Sequence, residues 1–189
     1  MKTIAISGKS GSGKSYIAHL LAKELSAEII NFDEVSHQSL MLENVKDFVR
    51  QTFGESVFDS NKNINRKELG KIAFSDPQKL EILNQLCEIE MVNIIDSQLN
   101  KSKSEYVILE YLLIPQMKYF KTANVKILVK ASNETRKQRI LKRDNISSDY
   151  YDKREQNSID FNENDFDIII QNDKSFDVKT IAEKIKADF

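Results

Sequence analysis

Thr3-Ile4-Ala5-Ile6-Ser7-Gly8-Lys9-Ser10-Gly11-Ser12-Gly13-Lys14-Ser15-Tyr16-Ile17 decides how this chain is read. Residues 3–7 form a short, β-branched apolar run, the pattern of a strand buried in a parallel sheet. Beyond the glycines, Ile17, Leu20, Leu21 and Leu25 recur at helical spacing and predict an amphipathic helix. The loop between them, residues 8–15, matches G-x-x-x-x-G-K-[ST], the P-loop pattern, in the strand–loop–helix context that the pattern requires. The chain has only 5 glycines, and Gly8, Gly11 and Gly13 are three of them, so backbone freedom is concentrated in this loop. Successive N–H groups turned inward at the positive end of a helix suit the β-phosphate of a nucleoside triphosphate. The Lys14 ammonium can bridge β- and γ-phosphates, and the Ser15 hydroxyl can ligate Mg²⁺. Gly8, Ser10, Gly11, Ser12, Gly13, Lys14, Ser15 and the adjoining Tyr16 are therefore assigned to ATP, and Ser15 also to Mg²⁺. A glycine turn that merely precedes a helix is the plain alternative.

Outward from the loop, Glu28-Ile29-Ile30-Asn31 reads as a second strand. Asp33 lies just past its end, where ligands gather in open α/β sheets. From Leu40 to Asn100 the apolar spacing turns helical, through Val45, Phe48 and Val49, then Leu69, Ile72 and Ala73, then Leu80, Leu83, Cys87, Ile94 and Ile95. Phe53-Gly54 and residues 59–63 punctuate it as turns. Further strands are expected at residues 106–109, 125–129 and 166–170, and a last helix at 178–187 burying Ile181 and Ile185. Pro77 and Pro115 suit helix starts. The expected fold is α/β, a P-loop NTPase-type parallel sheet flanked by helices. It forms a single domain with its core at about 1–34, 104–135 and 164–189, a helical acceptor-binding insertion at about 35–103 and a small lid at about 136–163.

With 28 basic and 29 acidic residues among 189, no global positive field draws the chain to nucleic acid. No apolar run approaches the ~18 residues that span a bilayer, and no signal-peptide core is present, so a cytoplasmic protein without a membrane partner is expected. One cysteine and two histidines provide neither an intrachain disulfide nor a Cys/His zinc site. Cys87, among Leu83, Leu86 and Met91, reads as a small buried hydrophobe. A monomer or small homo-oligomer acting on small molecules is the expected state.

Arg136, Arg139 and Arg143, at i, i+3 and i+7, fall on one side of a predicted helix, with Ile140 and Leu141 pointing elsewhere. They read either as a solvated face or as a lid whose guanidinium forks close over phosphates. The chain has no Asn-Lys-x-Asp motif, which argues against a GTPase. Leu109-Glu110 is followed by Tyr111 rather than a second acid, which argues against a motor or transporter ATPase. A small-molecule kinase fits better.

The chain also resembles the dephospho-CoA kinases along most of its length. Residues 31–37, Asn-Phe-Asp-Glu-Val-Ser-His, look like that family's Asp-x-Asp segment with its histidine four positions on. Residues 64–77 are similar to its Arg-x-x-Leu and Phe-x-Asp-Pro stretch, residues 138–144 to its lid, and residues 168–172 to its late strand ending in asparagine. Departures are Glu88-Ile89 where the family has His-Pro, Tyr111-Leu112-Leu113 where it has Pro-Leu-Leu, Asn31 where it has aspartate, and a strand acid, Glu110, displaced by one position.

The resemblance implies ATP- and Mg²⁺-dependent phosphorylation of the ribose 3′-hydroxyl of dephospho-CoA. It implies Asp33 as the catalytic base, Arg139 and Arg143 near the nucleotide or its phosphates, and Asn172 near the nucleotide's base; the Asp33 carboxylate itself can also hold Mg²⁺ through water. The residues alone leave Asp33 open as a helix cap, with Glu110 or Glu34 as other candidate bases. They also leave open a regulatory nucleotide-binding protein, or a kinase with another nucleoside-like acceptor.

Overall fold

Ile4, Ala5 and Ile6 are fully buried, and this apolar continuity sets β1 (Lys2–Ser7) at the centre of a covered sheet. The computed structural model describes residues 1–73, 76–156 and 158–189. Phe74 and Ser75, in the stretch that carries the resemblance, and Asn157, in the expected lid, lie outside the described residues. β2 (Glu28–Asn31), β3 (Tyr106–Glu110), β4 (Val125–Lys130) and β5 (Ile168–Gln171) join β1 in the order β2-β3-β1-β4-β5, with every pairing parallel. Because β3 and β4 flank β1 on opposite sides, the loop after β1 emerges at a topological switch point, where such sheets hold ligands. α1 (Lys14–Leu25) follows at once and buries Ile17, Ala18, Leu21 and Leu25 against the sheet.

The chain divides into two compact units, Met1–Asn31 with Ser102–Phe189, and Phe32–Lys101. The second is helical: α2 (Phe32–Ser39), α3 (Glu43–Phe53), α4 (Arg66–Ala73) and α5 (Pro77–Lys101). Val45, Val49, Leu69, Ala73 and Leu83 form its core at the spacings read from the sequence, and Phe53, read as part of a turn, instead ends α3 and is buried with them. Asp59 shapes the turn between α3 and α4, its Oδ1 accepting from the Asn61 and Asn63 amides, both at 2.9 Å. Cys87 packs against the same core, and burial pushes its thiol up, as for a small apolar side chain.

In the first unit, α6 (Lys118–Thr122), α7 (Asn133–Asp144), α8 (Ser148–Gln156) and α9 (Val178–Asp188) complete the layers. α9 buries Ala182 and Ile185, with Ile181 partly buried, in the cluster that α1 covers. Its first turn is capped by Asp177, which accepts from the Lys179 amide at 2.9 Å. Two elements differ from the sequence reading. β5 begins at Ile168 rather than Phe166, because residues 163–165 wind into a 3₁₀ turn that the Phe166 amide closes on Glu163. Pro115 opens a single 3₁₀ turn instead of an α-helix. Among the described residues no helix is long and apolar enough to cross a membrane.

Ile108, fully buried on β3, tests this core. Ile108→Ala is expected to cost about 2–5 kcal/mol, read as a lower midpoint in urea denaturation at unchanged slope.

Candidate active site

Gly11 and Gly13 hold φ of 77° and 90°, the left-handed region in which a side chain is strained. A Cβ on Gly13 would also lie 2.1 Å from Asn172 Nδ2, and one on Gly8 2.3 Å from the Val129 carbonyl oxygen. The loop is thus wrapped closely by β4 and by the residue after β5, and only glycine fits these contacts. α1 starts with no side-chain cap at Gly13, so its first-turn N–H groups carry the helix's positive end without a built-in acceptor. Inside the loop the Ser12 hydroxyl is buried without a hydrogen-bond partner. This cradle fits a phosphate chain.

The loop's C-terminal end meets a buried acid. Glu110, the last residue of β3, is 1% exposed. Parallel register sets it opposite both Ile6 of β1 and Asn31 of β2, which brings it to the mouth of the P-loop. Ser15 Oγ donates to its Oε1 at 2.7 Å, Asn31 Nδ2 donates to its Oε2 at 2.7 Å, and Lys14 Nζ stands 3.8 Å from Oε1. A hydroxyl and a carboxylate oxygen converging beside a phosphate cradle are the donor set that a hard divalent cation takes. Glu110 is read from sequence only as a displaced strand acid and an alternative base, not as a partner of Ser15 and Asn31. The signal was an acid ending a strand apolar through Leu109; its significance lay in the register, which no local spacing reveals.

Two expected residues hold the loop from outside. Arg139 Nη1 donates to the carbonyls of Gly11 and Ser12 at 3.1 and 3.2 Å, and Nη2 to that of Asn172 at 2.9 Å. Asn172 Nδ2 donates to the Ser12 carbonyl at 2.7 Å. Occupying these carbonyls fixes the Gly11–Ser12 and Ser12–Gly13 peptide planes, and the Ser12 amide adds a bond to the Lys9 carbonyl at 3.0 Å. Asp173, next in the chain, accepts from Gln171 Nε2 at 2.6 Å and from the Ser132 amide at 3.0 Å, ahead of α7. These bonds, the Gln171 amide first, pull its carboxyl down to about 2.

The other arginines are placed differently. Arg136 is 5% exposed and shares a buried face with Ile140, so the three guanidiniums do not act as one row and Ile140 does not point elsewhere. Its Nη2 and Nη1 grip Glu155 of α8 at 2.5 and 2.9 Å, and Nη1 lies 3.4 Å from the Ser10 carbonyl. Lys9 joins this lattice, 2.6 Å from Asp160 and 3.6 Å from Glu155. Arg143 is exposed and pairs with Asp144 at 2.6 and 3.0 Å. Tyr16 is also exposed, on the first turn of α1. Asp33 belongs to the second unit, exposed and inside the first turn of α2 rather than before it, so it is not the capping residue.

A sequence model of the dephospho-CoA kinase family matches residues 2–177. The chain belongs to that family. The dephospho-CoA kinase of Dehalococcoides mccartyi is 31% identical over 150 residues, covering 78% of this chain and 75% of that protein. The dephospho-CoA kinase of Aquifex aeolicus is 32% identical over 152 residues, covering 79% and 77%. A crystal structure of a Thermus thermophilus protein shares the fold with a TM-score of 0.79 at 23% identity, covering 99% of this chain and 95% of that one. At the position of the displaced strand acid, Leu109 is buried and Glu110 meets the P-loop.

The Arg136 guanidinium beside Glu155 holds that carboxyl below the ordinary range, its hydrogen bonds outweighing desolvation. A depressed carboxyl stabilises the fold above its unfolded value and loses that contribution as pH falls through the folded one. Glu155→Gln is expected to cost about 1.5–3 kcal/mol at pH 7. The gap to wild type should close as pH drops below about 4, under the ordinary glutamate value, in urea denaturation across pH.

Proposed function

We propose that this chain catalyses transfer of the γ-phosphoryl group of ATP to the ribose 3′-hydroxyl of dephospho-CoA, giving CoA and ADP. The observation that carries the nucleotide half is the convergence of Lys14, Ser15 and Glu110 at the mouth of the cradle, in a chain matched by the family model almost end to end. The P-loop N–H groups bind the β-phosphate, and Lys14 follows the charge that builds on the bridging oxygen as the terminal phosphorus leaves it. Ser15 and Glu110 would hold Mg²⁺, which neutralises charge across the β- and γ-phosphates. The acceptor oxygen bonds to the γ-phosphorus, the bond to the β,γ-bridging oxygen breaks, and the 3′-hydroxyl proton passes to Asp33.

Arg139 supports the reaction by holding Gly11 and Ser12 in shape. Arg143 serves a closed state that it reaches by exchanging Asp144 for a phosphate, a trade between two anions that needs little energy. The helical unit, residues 32–101, supplies the acceptor's contacts. A cytoplasmic enzyme working on small molecules completes the reading. A purely regulatory role is not favoured, because the phosphate-facing lysine, serine and acid are all present and mutually engaged.

Mg²⁺-dependent ADP release is expected to rise strongly on adding dephospho-CoA, and little on adding nucleosides, nucleoside monophosphates or shikimate. Equal or greater stimulation by one of those would overturn the acceptor assignment. Asp33→Asn is expected to leave ATP affinity and the fold intact while lowering turnover by roughly 10²–10⁴-fold, the scale of losing a positioned base. Retention of more than about a tenth of wild-type turnover at saturating Mg²⁺ would remove Asp33 from that role.

A further inference from the structure

The two oxygens of Glu110 are not equivalent. Oε1 accepts from Ser15 Oγ and faces Lys14, whereas Oε2 accepts from Asn31 Nδ2 at 2.7 Å. The Asn31 contact is built in by the register of β2 on β3, which sets the two residues directly opposite. An amide donates here, while the isosteric carboxylate of aspartate would set acceptor against acceptor. An aliphatic side chain would leave Oε2 without this donor at a residue only 1% exposed. Among the described residues, moreover, no group of three or more His, Cys, Asp or Glu side chains could hold a metal ion.

We propose that Asn31 is a positioning residue that keeps Glu110 a solitary acid offering one oxygen beside Ser15, so that a divalent cation is retained in the cleft only together with nucleotide phosphates. Mg²⁺ gives up its water reluctantly and binds through one or two carboxylates plus phosphate oxygens. One carboxylate already shared by an ammonium, a hydroxyl and an amide attracts the free ion weakly. A second carboxylate at position 31 would supply the missing charge and convert a nucleotide-dependent metal site into a standing one. This rests on the cleft being a nucleotide–metal site and is independent of the acceptor.

The test titrates Mn²⁺ calorimetrically into the nucleotide-free full chain, wild type against Asn31→Asp, with thermal unfolding followed with and without Mg²⁺. Asn31→Asp is expected to bind the ion at least about tenfold more tightly than wild type, as added ligand charge dictates. Without metal it should unfold at lower temperature than wild type, and Mg²⁺ should restore it. Adding Glu110→Gln should abolish the gain. Wild-type metal affinity in a folded Asn31→Asp protein would overturn the proposal. Should that variant fail to fold, Asn31→Ala decides through ADP binding. Its affinity is expected to fall about tenfold or more in Mg²⁺, the usual scale for a lost outer-shell partner, yet to match wild type in EDTA. Equal losses in both media would mean a merely structural role and overturn the proposal. No loss in either would do the same. A wild-type chain that bound no ADP would instead remove the nucleotide reading itself.

Discussion

A carboxylate buried at the end of β3 is the constraint on which the rest of the site depends. Left alone there, Glu110 would cost several kcal/mol in lost hydration. Three side chains from two separate pieces of chain offset that cost: Lys14 and Ser15 from the start of α1, and Asn31 from the end of β2. Hydrogen bonds to a charged group contribute about 1.5–3 kcal/mol each, so the cluster holds together only while all three elements keep their places. The parallel pairings of β3 with β1 and β2 are thus more than sheet architecture. They deliver a charge to the mouth of the loop, where its partners are the groups suited to phosphate and metal.

The loop itself is held by two sets of contacts with different characters. From outside, Arg139 and Asn172 saturate carbonyls of Gly11 and Ser12. From inside, the Ser12 hydroxyl is buried without a hydrogen-bond partner and α1 starts without a side-chain cap. Occupying the carbonyls fixes the loop's peptide planes before any ligand arrives, which reduces the ordering cost of binding. Arg136, Glu155, Lys9 and Asp160 extend the support into α8 and the segment beyond it, as an ion-pair lattice rather than an apolar seam.

How much of this the sequence discloses depends on how local the determining physics is. The strand–loop–helix around Gly8, Gly11 and Gly13 is legible because its signals lie within about two dozen residues, and β2 is legible to the residue. Glu110 is visible as an acid and a spare candidate base, but its place beside Ser15 and Asn31 is not. Its meaning comes from pairing with residues 79 and 95 positions away along the chain, and spacing within β3 carries no trace of that. The arginine helix failed in a narrower way. Periodicity shows which residues share a side, but not which side faces inward, and a guanidinium with a carboxylate partner can occupy the buried face at Arg136 where an aliphatic side chain would be expected. The family resemblance carried what periodicity could not, the identity of an acceptor.

Asn31 and Asp33 connect the two kinds of information. One is the last residue of β2 and holds the buried acid; the other is two positions on, in the first turn of α2, and is the proposed base. Two peptide steps span at most about 7 Å, so their Cα atoms stay within that distance through any rearrangement of the chain around them. The chain length alone sets this limit, whatever the packing of the helices that follow. The amide at 31 has its consequence for Glu110 instead. It gives the buried carboxylate a donor where an aspartate in the same register would set a second negative charge against it.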